Sequence, residues 1–317
     1  MPVYASAFKE ARPPVAVIGA GAMGRALALR LVERGYPLRA VLSQTRAHAE
    51  ELARSAGAGI ASDDFSQLPE DVRLVVIAVT DAALVNVAEL LTGVAHPWRE
   101  TVVMHTSGAL SAAALEPLAE EGAATASFHP LQAVTPSSGS DVLDHAYVGL
   151  EGDDRAVAVG IELAVGLGMR YIVLSSDAKA RYHLAATMAS NFFVTLMGMV
   201  QEVLASLDIN REDGFAMMEP LLRGTLDSLA SASPEEALTG PVARGDLETL
   251  RMHGQALREH LPQLVPAYAA LTVEAVRLAV RSGKLDPERA EEVLGLMVRL
   301  VTTPHTVGAA DSAHINN

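Results

Sequence analysis

Residues 15–24 read Val-Ala-Val-Ile-Gly-Ala-Gly-Ala-Met-Gly, an apolar run entering a Gly19-x-Gly21-x-x-Gly24 turn. That spacing suits phosphate binding. Gly19 permits the tight turn, Gly21 lets a pyrophosphate approach the backbone, and Gly24 lets the following helix pack on the strand. The free N–H groups and positive dipole end of that helix, which opens at Ala22 and Met23, then hold the phosphates. A tight βα turn without a ligand has the same glycines. The strand before, the helix after and the place near the N-terminus favour the dinucleotide.

Dinucleotide-binding folds usually place Asp or Glu about 20 residues past this turn, to hold the ribose 2′-OH. Here the second apolar run, 38–42, ends in Ser43-Gln44-Thr45-Arg46, and no carboxylate lies between Glu33 and Glu50. The hydroxyls of Ser43 and Thr45 and the planar donor fork of Arg46 suit a 2′-phosphate, so the expected cofactor is NADP and not NAD. The alternative for Arg46 is a solvated residue that opens the next helix.

In open α/β sheets ligands bind beyond the carboxyl ends of the strands. The run 74–79 ends at Val79-Thr80-Asp81, which places Val79 and Thr80 along the cofactor. The next ends in His105-Thr106-Ser107-Gly108, and the one after in Ser127-Phe128-His129-Pro130-Leu131-Gln132. Two histidines at neighbouring strand ends would face one crevice, with His105 and Ser107 toward the cofactor and His129 toward a substrate. No third ligand stands at a metal-binding spacing, so no metal is expected.

A long apolar segment opens with Lys179-Ala-Arg-Tyr182-His183 and continues to Ser190-Asn191. Lys179 and His183 are four residues apart, and Ser190 returns to their face about three turns later. Such a polar stripe on an apolar helix is costly. A lysine beside a hydride acceptor can protonate the new alkoxide, and partial burial lowers its pKa toward that task. A lysine that only snorkels at the helix start is the alternative. Lys179, His183, Ser190 and Asn191 are the candidate catalytic residues. Further on, Gly240-Pro241-Val242-Ala243-Arg244-Gly245-Asp246 reads as a turn with Asp246 capping the next helix. Arg244 there suits a substrate carboxylate; an ordinary loop with an exposed arginine has the same pattern.

The elements that must position these groups fall into two halves. Short β-rich runs near 15–18, 38–42, 57–60, 74–79, 101–105, 125–128, 147–150 and 171–174 alternate with helical runs at 22–34, 47–56, 81–91, 111–121 and 155–167. That is the pattern of a parallel α/β sheet. From Asp177 onward the pattern is helical, at 177–206, 214–230, 246–259, 262–282 and 287–301. The expected fold class is α/β, a doubly wound, mainly parallel Rossmann sheet over residues 1–175 followed by an all-α domain over 176–317.

Composition narrows the function classes. The 317 residues carry a net charge of −14, and half of them are hydrophobic. Nucleic acid and anionic membrane need basic patches, so neither is expected as the main partner. With no cysteine, the chain has no disulfide, thiolate metal site or thiol nucleophile, which suits a cytoplasmic location. Residues 1–14 lack the apolar core of a signal peptide. The uncharged stretch 182–201 is long enough to cross a bilayer. His183, Ser190, Asn191 and Thr195 are costly in lipid, so a buried helix of a helical domain is expected there.

The order of these motifs resembles the Rossmann-like proteins that carry a helical C-terminal domain of unassigned function, within the 6-phosphogluconate-dehydrogenase-like superfamily. It is carried by the Rossmann turn, His-Thr-Ser-Gly, Ser-x-His-Pro-Leu-Gln, Lys-x-x-Tyr-His…Ala-Ser-Asn and Leu-Thr-Gly-Pro-x-x-Arg-Gly-Asp, and it covers nearly the whole chain. More distant relatives are the ketopantoate reductases, pyrroline-5-carboxylate reductases, β-hydroxyacid dehydrogenases and deazaflavin-dependent NADP oxidoreductases. The resemblance implies NADPH-dependent hydride transfer to a small anionic substrate and a homodimer built through the helical domain. It places Lys179 where ketopantoate reductases carry their catalytic lysine, with His183 standing where they have Asn. The Gly240–Asp246 loop falls where pyrroline-5-carboxylate reductases bind a carboxylate. A 2-oxo acid such as ketopantoate is the first expected substrate. A cyclic imine carboxylate is the second, and a non-catalytic NADP-binding redox sensor the third reading.

Overall fold

The computed structural model describes residues 12–303. The expectation for residues 1–14 therefore falls almost wholly outside the described residues, as does the end of the C-terminal tail. Two compact units divide between Phe192 and Phe193, downstream of the 175/176 boundary expected from the sequence.

The first unit contains β1 (Val15–Ile18), α1 (Ala22–Glu33), β2 (Leu38–Leu42), α2 (Arg46–Ala56), β3 (Ile60–Ser62), β4 (Leu74–Ile77) and α3 (Asp81–Thr92). β5 (Val102–His105), α4 (Glu116–Glu120), β6 (Ala124–Leu131), β7 (Tyr147–Gly152), α5 (Asp154–Gly166), β8 (Arg170–Val173) and α6 (Lys179–Thr187) follow. The eight strands form one sheet in the order β3-β2-β1-β4-β5-β6-β7-β8. All neighbours are parallel except β6 and β7. The order reverses after β3, which makes the carboxyl ends of β1 and β4 the switch point where such sheets open a crevice.

Alternation along β1 explains the two layers. Val15 and Val17 pack with Leu27 and Leu31 of α1, Leu52 of α2 and Leu163 of α5. Ala16 and Ile18 face the other way, with Leu84 and Leu91 of α3 and Leu118 of α4. Both faces are covered, so the central strands read as continuous apolar runs.

Three elements depart from expectation. β6 continues to Leu131 because it pairs antiparallel with β7, from Ala126 opposite Gly152 to Leu131 opposite Tyr147. His129 therefore lies on a strand and not beyond its end. The helix expected over 111–121 is a 3-10 turn, Ala112–Leu115, before the short α4, where Pro117 takes an early position. The long helix from 177 to 206 is interrupted: a π-helical turn, Met188–Phe192, separates α6 from α7 (Phe193–Ala205).

The second unit contains α7, α8 (Arg211–Ser231), α9 (Pro234–Ala237), α10 (Pro241–Arg244), α11 (Leu247–His260), α12 (Val265–Arg281) and α13 (Pro287–Thr302). Leu250, Val276, Ala279 and Val293 form the heart of its core. Two helical stretches among the described residues are long and apolar enough to cross a membrane, Ser176–Ala205 and Pro262–Arg281. The first was expected to be buried, and its most apolar stretch has 0% of its residues buried. Sequence periodicity identifies an apolar face but not whether the same chain covers it.

Candidate active site

The glycine turn has the geometry its spacing requires. Gly19 has a φ of 104°, and a Cβ there would overlap the Ala78 carbonyl oxygen. A Cβ at Gly24 would overlap the Gly19 carbonyl oxygen, while at Gly21 nothing lies within 4 Å of where a Cβ would stand. α1 opens at Gly21 without a side-chain cap or an acidic residue in its first turn. Its first N–H groups are thus left for an anion. Gly19, Gly21, Ser43, Thr45, Val79 and Thr80 line one cleft of about 760 Å³, large enough for a cofactor. Ala22, Met23 and Gly24 form the helix start beneath it. The residues present fit a dinucleotide.

Three expected cofactor residues are placed differently. Arg46 is the first residue of α2, its guanidinium exposed and paired with Glu50 at 2.9 Å. It does not line the cleft. His105 is 0% exposed, and both ring nitrogens are used inside its own loop. Its Nδ1 accepts from Ser107 N at 3.1 Å, which leaves Nε2–H to donate to Ser111 O at 3.0 Å. Burial, aided by the nearby Lys179 charge, pushes the imidazole down to about 4, against the hydrogen bond to Ser111. Ser107 is also buried, and its Oγ accepts from Leu110 N at 3.0 Å. His105 and Ser107 therefore shape the loop after β5; neither ring nor hydroxyl is offered to a cofactor.

A second cavity of about 640 Å³ is lined by His129, Gln132, Tyr182, His183, Ser190 and Asn191 among others. Gly108 makes room for it. A Cβ there would stand 2.6 Å from His183 Cδ2 and 2.8 Å from His129 Nε2. His129 Nδ1 and the Tyr182 hydroxyl are 3.1 Å apart. Burial pushes His129 down to about 4, with the charges of Lys179 and His183 acting the same way. Burial lifts Tyr182 to about 12. Both are therefore neutral near pH 7, and the hydrogen bond between them fixes the direction of the Tyr182 hydroxyl. The π-helical turn holds Ser190 and Asn191 at the cavity; such turns occur disproportionately at functional sites.

Lys179 does not reach this cavity. It is 1% exposed, and its Nζ donates to Ser127 Oγ at 2.6 Å and to Ser107 O at 3.1 Å. The ammonium lies 5.8 Å from the centroid of the Tyr182 ring, within reach of its π face. Burial lowers its pKa to about 8, with Glu151 and Asp81 opposing the shift. Glu151 is itself buried and accepts from Ala112 N at 2.7 Å and from Ser176 Oγ at 2.6 Å. Lys179 and Glu151 thus fasten the start of α6 to the sheet. The role expected for Lys179, direct protonation of substrate, does not fit a side chain that is 1% exposed with its ammonium hydrogen-bonded to Ser127 and Ser107.

Sequence reasoning singled out neither Tyr182 nor Glu151 as functional residues. Tyr182 stood inside the Lys-x-x-Tyr-His motif, whereas nothing local marks Glu151. In the second unit, Arg244 ends α10 with an exposed side chain, Gly245 follows at a φ of 62°, and Asp246 caps α11 through Thr249 N at 3.1 Å. Among the described residues no group of three or more His, Cys, Asp or Glu could hold a metal.

Comparisons with known proteins agree with this architecture. Residues 1–130 match the model of a Rossmann-like domain, and residues 146–275 match that of a domain of unknown function, DUF2520. The combination expected from the motifs is thus present. No curated protein matches the chain. Among solved structures, the "putative NADP oxidoreductase BF3122" of Bacteroides fragilis superposes with a TM-score of 0.71 at 22% identity, over 84% of this chain and 98% of that one. A pyrroline-5-carboxylate reductase of Coxiella burnetii gives 0.56 at 17% identity, over 88% and 97%. An imine reductase of Myxococcus stipitatus in complex with NADP+ gives 0.53 at 18% identity, over 92% and 96%.

Proposed function

We propose that this chain is an NADPH-dependent reductase that reduces a C=N or C=O bond of a small molecule. The observation that carries the reading is the presence, within one unit, of a dinucleotide cleft and of a second cavity lined by His129, Tyr182, His183, Ser190 and Asn191. The names of the oxidoreductase, pyrroline-5-carboxylate reductase and imine reductase relatives support it. The residues that would hold NADPH are the Gly19–Gly24 turn, Ser43, Thr45, Val79 and Thr80, with Arg46 within reach once it leaves Glu50. Bound there, NADPH supplies a hydride.

The remaining work falls to the cavity. Tyr182 keeps its proton across neutral pH and can give it from its hydroxyl to a stronger base, the alkoxide oxygen or the nitrogen anion that hydride addition to a carbonyl or a neutral imine leaves. His129 Nδ1 orients that hydroxyl. Lys179 stabilises negative charge growing on the phenol from beneath the ring and keeps α6 in register. His183, Ser190, Asn191 and Gln132 offer hydrogen bonds to substrate.

The burial of Lys179 favours the imine reading over the 2-oxo acid reading. An iminium carries its own proton and needs no lysine acid, and apart from histidine the first-unit cavity has no cationic side chain in its lining. NADPH oxidation measured across a panel of cyclic imines and 2-oxo acids tests both. With an imine as best substrate, Tyr182→Phe should lower kcat less than tenfold. With an oxo acid, the loss should be roughly 10²–10⁴, the span of a general acid. No turnover with any member of the panel would leave only the redox sensor.

A further inference from the structure

We propose that Asp63 narrows the preference of the dinucleotide cleft for NADPH over NADH, its carboxylate opposing the 2′-phosphate and accepting from a free ribose 2′-OH. The inference rests on the reading of the cleft as an NADP site and adds a residue that the sequence around Ser43–Arg46 does not reveal. β2 and β3 are parallel neighbours with Leu42 opposite Ser62. Ser43 N donates to Ser62 O at 3.0 Å, so the chain leaving β2 runs beside the chain leaving β3. Ser43, Gln44, Thr45, Asp63 and Asp64 consequently line the same end of the cleft.

The two carboxylates differ in what they are free to do. Asp64 is committed to its own backbone: its Oδ1 accepts from Ser66 N at 2.9 Å and caps the turn Phe65–Gln67. Asp63 is exposed. Its charge reaches Arg46, whose guanidinium is held more strongly protonated by Glu50 first and by Asp63 in addition. The charge of Arg46, which neighbours Thr45 of the cleft lining, is therefore shared between two carboxylates before any cofactor arrives. A 2′-phosphate, a dianion near neutral pH, would compete with Glu50 for Arg46 and stand against the charge of Asp63. A ribose 2′-OH meets the opposite field, because it can donate to a carboxylate, the role that an acid at the end of β2 takes in NAD sites. Here the acid comes from the end of β3.

The test is a pair of fluorescence titrations, NADPH and NADH against the full chain and against Asp63→Asn, Asp63→Ala and Arg46→Ala. Both Asp63 variants should raise the ratio of NADPH to NADH affinity about fivefold or more, mainly by tightening NADPH, and Arg46→Ala should lower it. The gain should shrink at high salt, since exposed charges are screened within about 10 Å at 0.1 M. Wild-type binding of either cofactor, with an unchanged ratio in both Asp63 variants, overturns the inference and leaves the dinucleotide reading standing. Binding of neither cofactor by the wild type overturns that reading and the inference with it.

Discussion

At the scale of single residues, burial sets the chemistry of His105, His129, Tyr182 and Lys179. His105 provides a test that needs no substrate. Its folded pKa of about 4 lies below the 6.5 of an unperturbed imidazole. Between those values the unfolded chain binds more protons than the native one. The His105 contribution to native stability should therefore be flat above pH 6.5 and fall as the pH drops toward 4, by on the order of 3 kcal/mol across that window. Urea melts of wild type and His105→Asn from pH 7 to 4 measure this. The variant should be less stable at pH 7 by about 1–2 kcal/mol, for the weakened loop hydrogen bonds, but should show a shallower acid slope. An unchanged slope would place the titrating group elsewhere.

The residue scale also separates what sequence can and cannot reveal. Gly19, Gly21 and Gly24 were legible because their function is carried by the local backbone. The positions of Ser43, Thr45, Val79 and Thr80 followed from counting to strand ends. Lys179 was legible as unusual but not as buried. Its partners, Ser107 and Ser127, come from two other strand ends, and only the assembled sheet shows that they accept its hydrogen bonds. His105 misled for the same reason: its partner Ser111 O lies in a loop whose path the sequence does not fix.

At the scale of elements, the loop after β5 brings Gly108 against the rings of His129 and His183, which line the cavity. Gly108→Ala puts a methyl group against His129 and His183. It should lower kcat/KM on the best substrate by about tenfold or more while leaving the Kd for NADPH within twofold, because the phosphate turn is untouched. Equal damage to both would mean that the loop supports the whole sheet edge and not the cavity. The α/β alternation and the helical second half were readable from periodicity. The antiparallel β6–β7 pairing was not, since it depends on a return of the chain through 132–146 that carries no strand signal. The π-helical turn at Met188–Phe192 was hidden as well, because its composition is that of any helix.

At the scale of the whole molecule, the exposed apolar surface is the main unexplained feature. Phe192, Phe193, Val194 and Leu196 are all exposed along one helical stretch, and exposed patches of this kind mark association sites. We propose that a second copy of the chain covers them, in a homodimer. Light scattering on the purified chain should give about twice the 33.3 kDa monomer mass, and Val194→Asp should shift it toward monomer. A monomeric wild type that partitions into lipid vesicles would instead assign the surface to a membrane.

The central claim is hydride transfer from NADPH to a small C=N or C=O substrate. It is tested most directly with NADPH deuterated at either face of nicotinamide C4, incubated with the chain and the best compound of the imine and oxo-acid panel. One labelled face should deliver its deuterium to the product carbon, seen as a product heavier by one mass unit, and the other should retain it. NADPH that binds tightly yet keeps its deuterium on both faces with every compound would contradict the account.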